Sequence, residues 1–306
     1  MEKERYNHLN TYLKNKFGER TLKICIDANF TCPNRDGKKG TGGCIFCGQR
    51  GSGEHLNKID IPSQINNHLK SYRGKRANKF IAYFQNFTNT YDSVENLKKK
   101  YDQVFINKKI VGIQIATRPD CIDENIAKLL HEYSKKYYVC VELGLQTSND
   151  KLGELINRCY SSEDFINAVK ILNKYKIDVI AHIMVGLPKE AFNDIKETVN
   201  FLNNQNIQGI KIHSTYIISN TKLEKMYLDN VYTPITLEYY LNCLTYIITH
   251  INPDIIIHRI SGDAPKNLLV APNWNSHKKL VLNGIEKILK EKNLYQGIYF
   301  NKTNNS

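Results

Sequence analysis

The chain has 306 residues, 41% hydrophobic and 24% charged, which suits a globular protein with room for one large α/β domain or two smaller ones. Its apolar runs, such as 180–187 and 255–257, are far shorter than the roughly 20 residues of a membrane span, and the charged start MEKERYNHLN lacks the apolar stretch of a secretory signal. Lys plus Arg number 43 against 30 Asp plus Glu, a formal net charge of +13, which suits a polyanionic partner such as nucleic acid and equally a generally Lys-rich surface. These features predict a cytoplasmic protein that does not enter a membrane.

In chain order, Tyr6, Leu9, Tyr12, Leu13 and Phe17 stand at helical spacing and predict an amphipathic N-terminal helix over 4–17. LKICIDANF (22–30) alternates as a strand and runs into the loop TCPNRDGKKGTGGCIFCGQR. Further strands are predicted at 80–85, 110–117, 137–146, 178–188 and 209–217, with helices between them at 94–105, 123–135, 162–175 and 193–203. Asp123, Ser161 and the acids that follow them supply caps and first-turn charge. Apolar strands that each lead into a helix imply parallel pairing with right-handed crossovers. Six such units make a full or partial β/α barrel, or a doubly wound sheet. After Lys222 the pattern changes to a helix (236–251), a strand (255–260) and a helix (278–290). No linker or repeat interrupts the chain, so a single domain over 1–306 is expected, with a core at about 20–220 and a C-terminal extension at about 221–306.

Of the eight cysteines, Cys25, Cys140 and Cys243 lie in apolar periodic segments and read as buried hydrophobes, and Cys121 and Cys159 have no ligand spacing. Cys32, Cys44 and Cys47 stand apart, as C-x11-C-x2-C directly after the first strand. Barrels carry their chemistry at that end of the strands. Seven of the 17 glycines fall between Gly37 and Gly53, which lets the backbone wrap a compact object. Structural zinc would need a fourth ligand, and the candidates are poor. Cys25 is in strand register, and His55 has no partner histidine. An iron–sulfur cube normally takes four thiolates. Three leave one iron open to a reactive ligand such as S-adenosylmethionine, which chelates it through amino and carboxylate groups and is cleaved by an electron to a 5′-deoxyadenosyl radical. The absent fourth thiolate favours the cube, with zinc as the alternative.

TCPNRDG followed by GGCIFC resembles the radical S-adenosylmethionine (radical SAM) superfamily, in its Elongator-catalytic-subunit-like branch and the bacterial YtqA/YhcC-type, MnmL-like group. The resemblance continues in order through YFQNFTNTY (83–91), ATRPDCI (116–122), VELGLQTSND (141–150), INRCY (156–160), HIMVGLP (182–188), GIKIHSTYI (209–217) and RISGDAPKNLLVAPNW (259–274). It implies an α/β fold, a partial (β/α)6 TIM-like barrel of the radical SAM type with an N-terminal helix and a C-terminal α/β extension. Its cofactors would be a 4Fe-4S cluster and S-adenosylmethionine. Two departures stand out. The family's Gly-Gly-Glu segment reads Gln85-Asn86-Phe87 here, and no segment resembles the acetyltransferase domain of the Elongator subunit, so acetyl transfer is not implied.

By this resemblance Cys32, Cys44 and Cys47 are the cluster ligands, and Phe46 either shields the cluster or packs the loop. Cofactor binding falls to Gln85, Asn86, Glu142, Gln146, Arg158 and His182, with Arg158 suited to a carboxylate by its fork and Glu142 either binding a ribose hydroxyl or pairing with Arg118. Gly186-Leu187-Pro188 offers a flat backbone for adenine. Lys79, Lys211 and Arg118 are candidate substrate contacts, and Arg259, Asp263 and Trp274 mark the C-terminal motif, with Trp274 either stacking on a base or filling the barrel bottom. The implied reaction is at carbon 5 of wobble uridine 34 in tRNA, taking carboxymethylaminomethyl-uridine to aminomethyl-uridine. The implied partners are the tRNA anticodon stem-loop, an electron donor such as flavodoxin or ferredoxin, and a downstream tRNA methyltransferase. A radical enzyme on a small metabolite and a non-catalytic zinc- or RNA-binding module are the alternatives.

Overall fold

All six strands expected in the first 220 residues form, and three more follow: β1 (Thr21–Ile26), β2 (Lys79–Phe84), β3 (Ile110–Thr117), β4 (Tyr138–Gln146), β5 (Asp178–Val185), β6 (Gly209–Ser214), β7 (Ile217–Ile218), β8 (Ile256–Arg259) and β9 (Leu269–Ala271). The structure is a computed structural model and describes residues 4–51, 53, 56, 58–262 and 264–301. The helices are α1 (Leu9–Phe17), α2 (Ile61–Lys70), α3 (Val94–Asp102), α4 (Glu124–Ser134), α5 (Asp150–Leu155), α6 (Ser162–Lys174), α7 (Phe192–Asn203), α8 (Lys222–Leu228), α9 (Leu237–His250) and α10 (Lys278–Glu291). Local chemistry starts them where the sequence expects. Asp123 accepts from the Ile126 N–H, and Ser161 and Asp164 form a reciprocal capping box.

Seven strands build one parallel sheet in the order β1-β2-β3-β4-β5-β6-β8. The sheet curls into a half-barrel. Lys211 Nζ on β6 lies 3.1 Å from Tyr83 Oη on β2, although four strand spacings across a flat sheet come to about 19 Å. The outer face packs against the helices through one continuous apolar core, with Phe80, Phe84, Tyr101, Phe165 and Tyr240 among its fully buried members. The curl turns the other face into a lumen. Strand β8, from the C-terminal stretch, belongs to the same sheet. Its outer edge is held by residues ahead of α1, where Ile257 N–H donates to the Asn7 carbonyl at 2.9 Å. Gln296 ties the end of the chain to the same place, its N–H on the Arg5 carbonyl and its amide on Ile255 and Asn252.

A second, smaller core lies beyond the strand ends and holds Ile45, Ile156, Leu187, Ile217, Leu223, Tyr232 and Ala271, with Phe46 against it. Ile45 fixes the cysteine loop there, its N–H on the Ile156 carbonyl and its carbonyl accepting from Leu223. Phe46 therefore packs the loop. Within the sheet, a Cβ on Gly112 would stand 2.3 Å from the Tyr138 carbonyl oxygen, a backbone atom that cannot step aside. Gly112→Ala is expected to lower stability by about 1–3 kcal/mol, read as a fall in Tm.

Candidate active site

The loop from Cys32 to Gly51 leaves β1 at the C-terminal end of the sheet and is cross-braced throughout. The Arg35 and Asp36 N–H groups turn back onto the Cys32 carbonyl, and Cys47 N–H bonds the Cys44 carbonyl. The Arg35 guanidinium crosses to the Cys47 and Gly48 carbonyls at 2.9 and 2.6 Å. It passes so close to Gly43 (φ 76°) that a Cβ there would meet Arg35 Nε at 2.9 Å. Lys39 reaches Asp120 at 2.8 Å, and Asp120 takes a two-pronged bond from Arg118. Arg118 also donates to the Arg158 and Cys159 carbonyls. Its predicted pairing with Glu142 is replaced by Asp120, two residues away and in fork geometry.

The three thiols share one environment. Burial pushes the Cys44 thiol up to about 12; the charge of Cys47 and then of Cys32 adds to the rise, while Arg118 opposes it. Binding a metal displaces such a proton. Each thiolate of a cube binds a different iron, so the sulfurs need not meet at one point. Among the described residues no three His, Cys, Asp or Glu groups do. Of the zinc candidates, Cys25 sits inside the curl with Lys211, Arg259, Lys23 and Arg73 as its charged neighbours, and His55 lies outside the described residues, as does Asp263.

Among the described residues, several buried polar atoms of the cysteine loop and of the loop after β2 have no partner: Asn34 Oδ1, both amide atoms of Asn86, Thr88 Oγ1 and Asn89 Oδ1. Asn86 is 1% exposed, and a Cβ on Gly53 would stand 1.9 Å from its amide. The loop that carries it is tied to the cysteine loop by Thr88 N–H on the Thr31 carbonyl. Gln85 N–H closes β2 on the Ile26 carbonyl. Unsatisfied buried amides and hydroxyls are costly, and among them Asn34 lies 3.8 Å from Cys44 Sγ while Thr88 is joined to Thr31, the residue before Cys32. A cluster carrying an amino-acid ligand would satisfy them, so the residues present fit that group.

Gln146 ends β4 at φ 67°, past a register shift, with its amide folded toward Gly144 and the Tyr160 hydroxyl. Arg158 is fully buried and has a different task from the open fork expected of it. Its guanidinium donates to the carbonyls of Leu145, Thr147 and Tyr160 and to Asp150 at 2.6 Å. It shapes the β4 turn, and four of its five N–H donors are already used. The Gly186-Leu187-Pro188 turn is not a bare backbone surface either. Glu190 accepts from the Gly186 and Leu187 N–H groups at 2.6 and 3.3 Å, and Ile235 covers Gly186, where a Cβ would meet it at 2.8 Å. Burial pushes the Glu190 carboxyl up to about 8 against the pull of those two donors. The folded chain keeps this proton between pH 4.5 and about 8 while the unfolded chain has lost it. The contribution of this group to stability therefore falls as pH rises through that window. Glu190→Gln should flatten the decline, measured as Tm against pH.

Deeper in the lumen, Glu142 is completely buried and gathers polar groups from the neighbouring strands. Its carboxylate meets Lys211 at 2.5 Å, Tyr83 Oη at 2.6 Å, His182 Nε2 at 2.8 Å and Lys23 at 3.5 Å, and Gln114 donates to it as well. Burial pushes this carboxyl up, but Lys211, Lys23 and His182 outweigh it and hold it well below the usual range. Burial pulls Lys211 down, against the attraction of Glu142. Lys211 and His182 thus both stand in the lumen. Lys79 does not. It begins β2 at the opposite end, with Nζ on the Phe17 carbonyl and 3.5 Å from Glu19, because the side chain of a first strand residue reaches the base of the sheet. Trp274 donates to the Ile235 carbonyl and stacks on Tyr240. It fills core, though beside the strand exits and not at the barrel bottom. Sequence reasoning missed Lys23, Gln114 and His213. Their signal was present: charged or amide side chains at alternate positions of strands otherwise apolar.

Comparison with known proteins agrees with this geometry. The Radical SAM superfamily model matches residues 36–202 and the Radical_SAM C-terminal domain model residues 207–291. The Bacillus subtilis protein YtqA, described as uncharacterized, is 37% identical over 98% of this chain and 94% of its own length. A tRNA uridine(34) acetyltransferase from Methanocaldococcus jannaschii is 28% identical over 53% of this chain, which spans 30% of that protein. The archaeal Methanocaldococcus infernus Elp3 structure superposes with a TM-score of 0.68 at 18% identity, over 90% of this chain and 64% of that one, which concerns the fold alone. The three thiols and their unsatisfied neighbours suit the 4Fe-4S cluster and S-adenosylmethionine of such enzymes, and the chain belongs to the radical SAM superfamily, in its Elongator-like YtqA/YhcC branch.

Proposed function

We propose that the protein modifies tRNA at carbon 5 of wobble uridine 34, converting carboxymethylaminomethyl-uridine to aminomethyl-uridine. The observation that carries this reading is the lumen. Among the described residues, Lys23 and Lys211 meet one carboxylate, Glu142, in a chamber whose mouth holds the cysteine loop. A cavity with that surplus of positive charge suits a base with an anionic side chain, and a chain of net charge +13 suits the polyanion that delivers it. A splayed base reaching into a pocket is the usual way such chemistry gains access. The similarity to a tRNA uridine(34) acetyltransferase points to the same nucleotide.

In this reading Cys32, Cys44 and Cys47 hold the cluster. Asn86, Gln85 and Gln146 bind the amino-acid end of S-adenosylmethionine, and Arg158 keeps Gln146 in place. The bound pair supplies one-electron cleavage of a sulfonium, which opens the unactivated C–H bond beside the side-chain nitrogen. Lys211, Lys23 and His182 hold Glu142 ionised and the substrate's anionic group in reach. Flavodoxin or ferredoxin would deliver the electron, and a tRNA methyltransferase would take the amine.

Nucleoside mass spectrometry of tRNA from a deletion strain tests the reading. Carboxymethylaminomethyl-uridine should accumulate and aminomethyl-uridine and its methylated product should vanish, with both restored by the wild-type gene. An unchanged wobble-uridine profile removes tRNA as the substrate and leaves a small metabolite.

A further inference from the structure

The lumen has a second tier that the cofactor site does not use. On β6 and β8, Lys211 pairs in register with Arg259. Two residues further along each chain come His213 and Ser261, at the next inward positions, and Thr215 lies beyond His213 with its N–H on the Val185 carbonyl. Their neighbours Ile212 and Ile260 belong to the outer core, and Ser214 bonds Asn275 beneath the helices. Alternation therefore turns His213, Thr215 and Ser261 inward. Thr215 is 0% exposed and Ser261 2% exposed, yet Thr215 Oγ1, Ser261 Oγ and His213 Nε2 have no hydrogen-bond partner. The His213 ring lies 5.3 Å from that of His182, which places this tier directly above the Glu142 network.

Three buried groups able to donate are thus left unsatisfied on one wall, a cost that a ligand would remove. The wall's charge decides which ligand. Among the described residues, Lys211 and Lys23 are the nearby lysines and Glu142 is the one acid they meet, already engaged by Lys211, Lys23 and His182. Among those residues a cation would find no free carboxylate. Burial, reinforced by His182, Arg259 and Lys211, holds His213 neutral, so it keeps a single N–H to offer. A small oxyanion accepts from all three groups and offsets the charge surplus. We propose that His213, Thr215 and Ser261 form a subsite for the carboxylate of the substrate side chain, so that the enzyme selects a base by the acid it carries. The subsite deepens the wobble-uridine reading and rests on it only for the choice of probe.

Binding of two free nucleosides to the cluster-loaded, S-adenosylmethionine-bound protein tests it, by anaerobic titration calorimetry. Neither carries a phosphate, so a preference reports the side chain and not the nucleic-acid backbone. Wild type should bind 5-carboxymethylaminomethyl-uridine at least about tenfold more tightly than 5-methylaminomethyl-uridine, which keeps the amine and lacks the carboxylate, as expected for hydrogen bonds to a charged group. Thr215→Val with Ser261→Ala should remove most of that preference and leave the nucleoside without a carboxylate bound as before, while Thr215→Ser should retain it. Equal binding of the two by wild type, or a preference that survives the double variant, overturns the subsite. If tRNA in the deletion strain is altered but no preference appears, the subsite fails and the tRNA reading stands. If the preference holds while tRNA is unchanged, the tRNA reading fails and the subsite stands.

Discussion

Replacing any one of Cys32, Cys44 and Cys47 by alanine should strip the protein of its cluster. Wild type prepared without oxygen should carry about four iron and four sulfide per chain. Each variant should carry almost none, and deoxyadenosine formation should fall by more than about 100-fold, beyond the 10–100-fold typical of losing an outer partner of a metal ligand. Two controls separate ligation from general damage. Cys25→Ala removes a thiol from among Lys211 and Arg259, and Cys121→Ala removes one beside Asp120. Both should keep the full iron load. Apo protein of the Cys44 variant should unfold near the wild-type apo temperature, because the half-buried side chain leaves only a small gap when it is shortened. Full iron in any of the three variants, or one zinc per chain in wild type, would refute the ligand assignment.

The largest effect on stability should come from Glu142→Leu. The side chain is completely buried and is the shared partner of Lys211, Lys23, His182 and Tyr83. Removing it leaves Lys211, itself 4% exposed, as a buried charge with no counter-ion. Breaking such a pair costs about 3–5 kcal/mol, whereas replacing both partners by apolar groups is often close to neutral. Glu142→Leu should therefore lower Tm sharply, and adding Lys211→Met should recover most of the loss. Acid has a defined direction here. The Glu142 carboxyl is held well below its ordinary value of 4.5, so its contribution is fully present above pH 4.5 and is lost as pH falls through the lower, folded value. The double variant should show a flatter acid limb in Tm against pH. A single variant as stable as wild type would show that the network is not a coupled unit.

How legible these features were depended on whether the physics was local. The strands of the parallel sheet pack one face under helices through a continuous apolar core, and that face made them legible as hydrophobic runs. The cysteine loop was equally plain, because glycine density and ligand spacing are properties of neighbours in sequence. Helix α2 was missed although Asp60 caps it through the Ser63 N–H and a proline opens it; its buried face rests on only Ile61, Gln64 and Ile65, too sparse to stand out. The short antiparallel pair β7–β9 joins residues about fifty apart and has no periodicity to read. The roles of Arg118, Arg158 and Lys79 were decided by what the fold brings beside them. Asp120 takes Arg118, three carbonyls and Asp150 take Arg158, and the end of α1 takes Lys79. The lumen network joins six strands, β1 to β6, and no window along the chain contains it.

The clasp between Asn7 and Ile257 has a consequence for biosynthesis. The segment that seals the flank of the last strand leaves the ribosome tens of seconds before that strand exists, at about 5–20 residues per second. Throughout translation it must wait unpaired, and the growing sheet must carry a naked rim that invites strand addition from other chains. Shortening the chain by its first eight residues would make that interval permanent, leaving a folded rim with unpaired N–H groups and a tendency to self-associate.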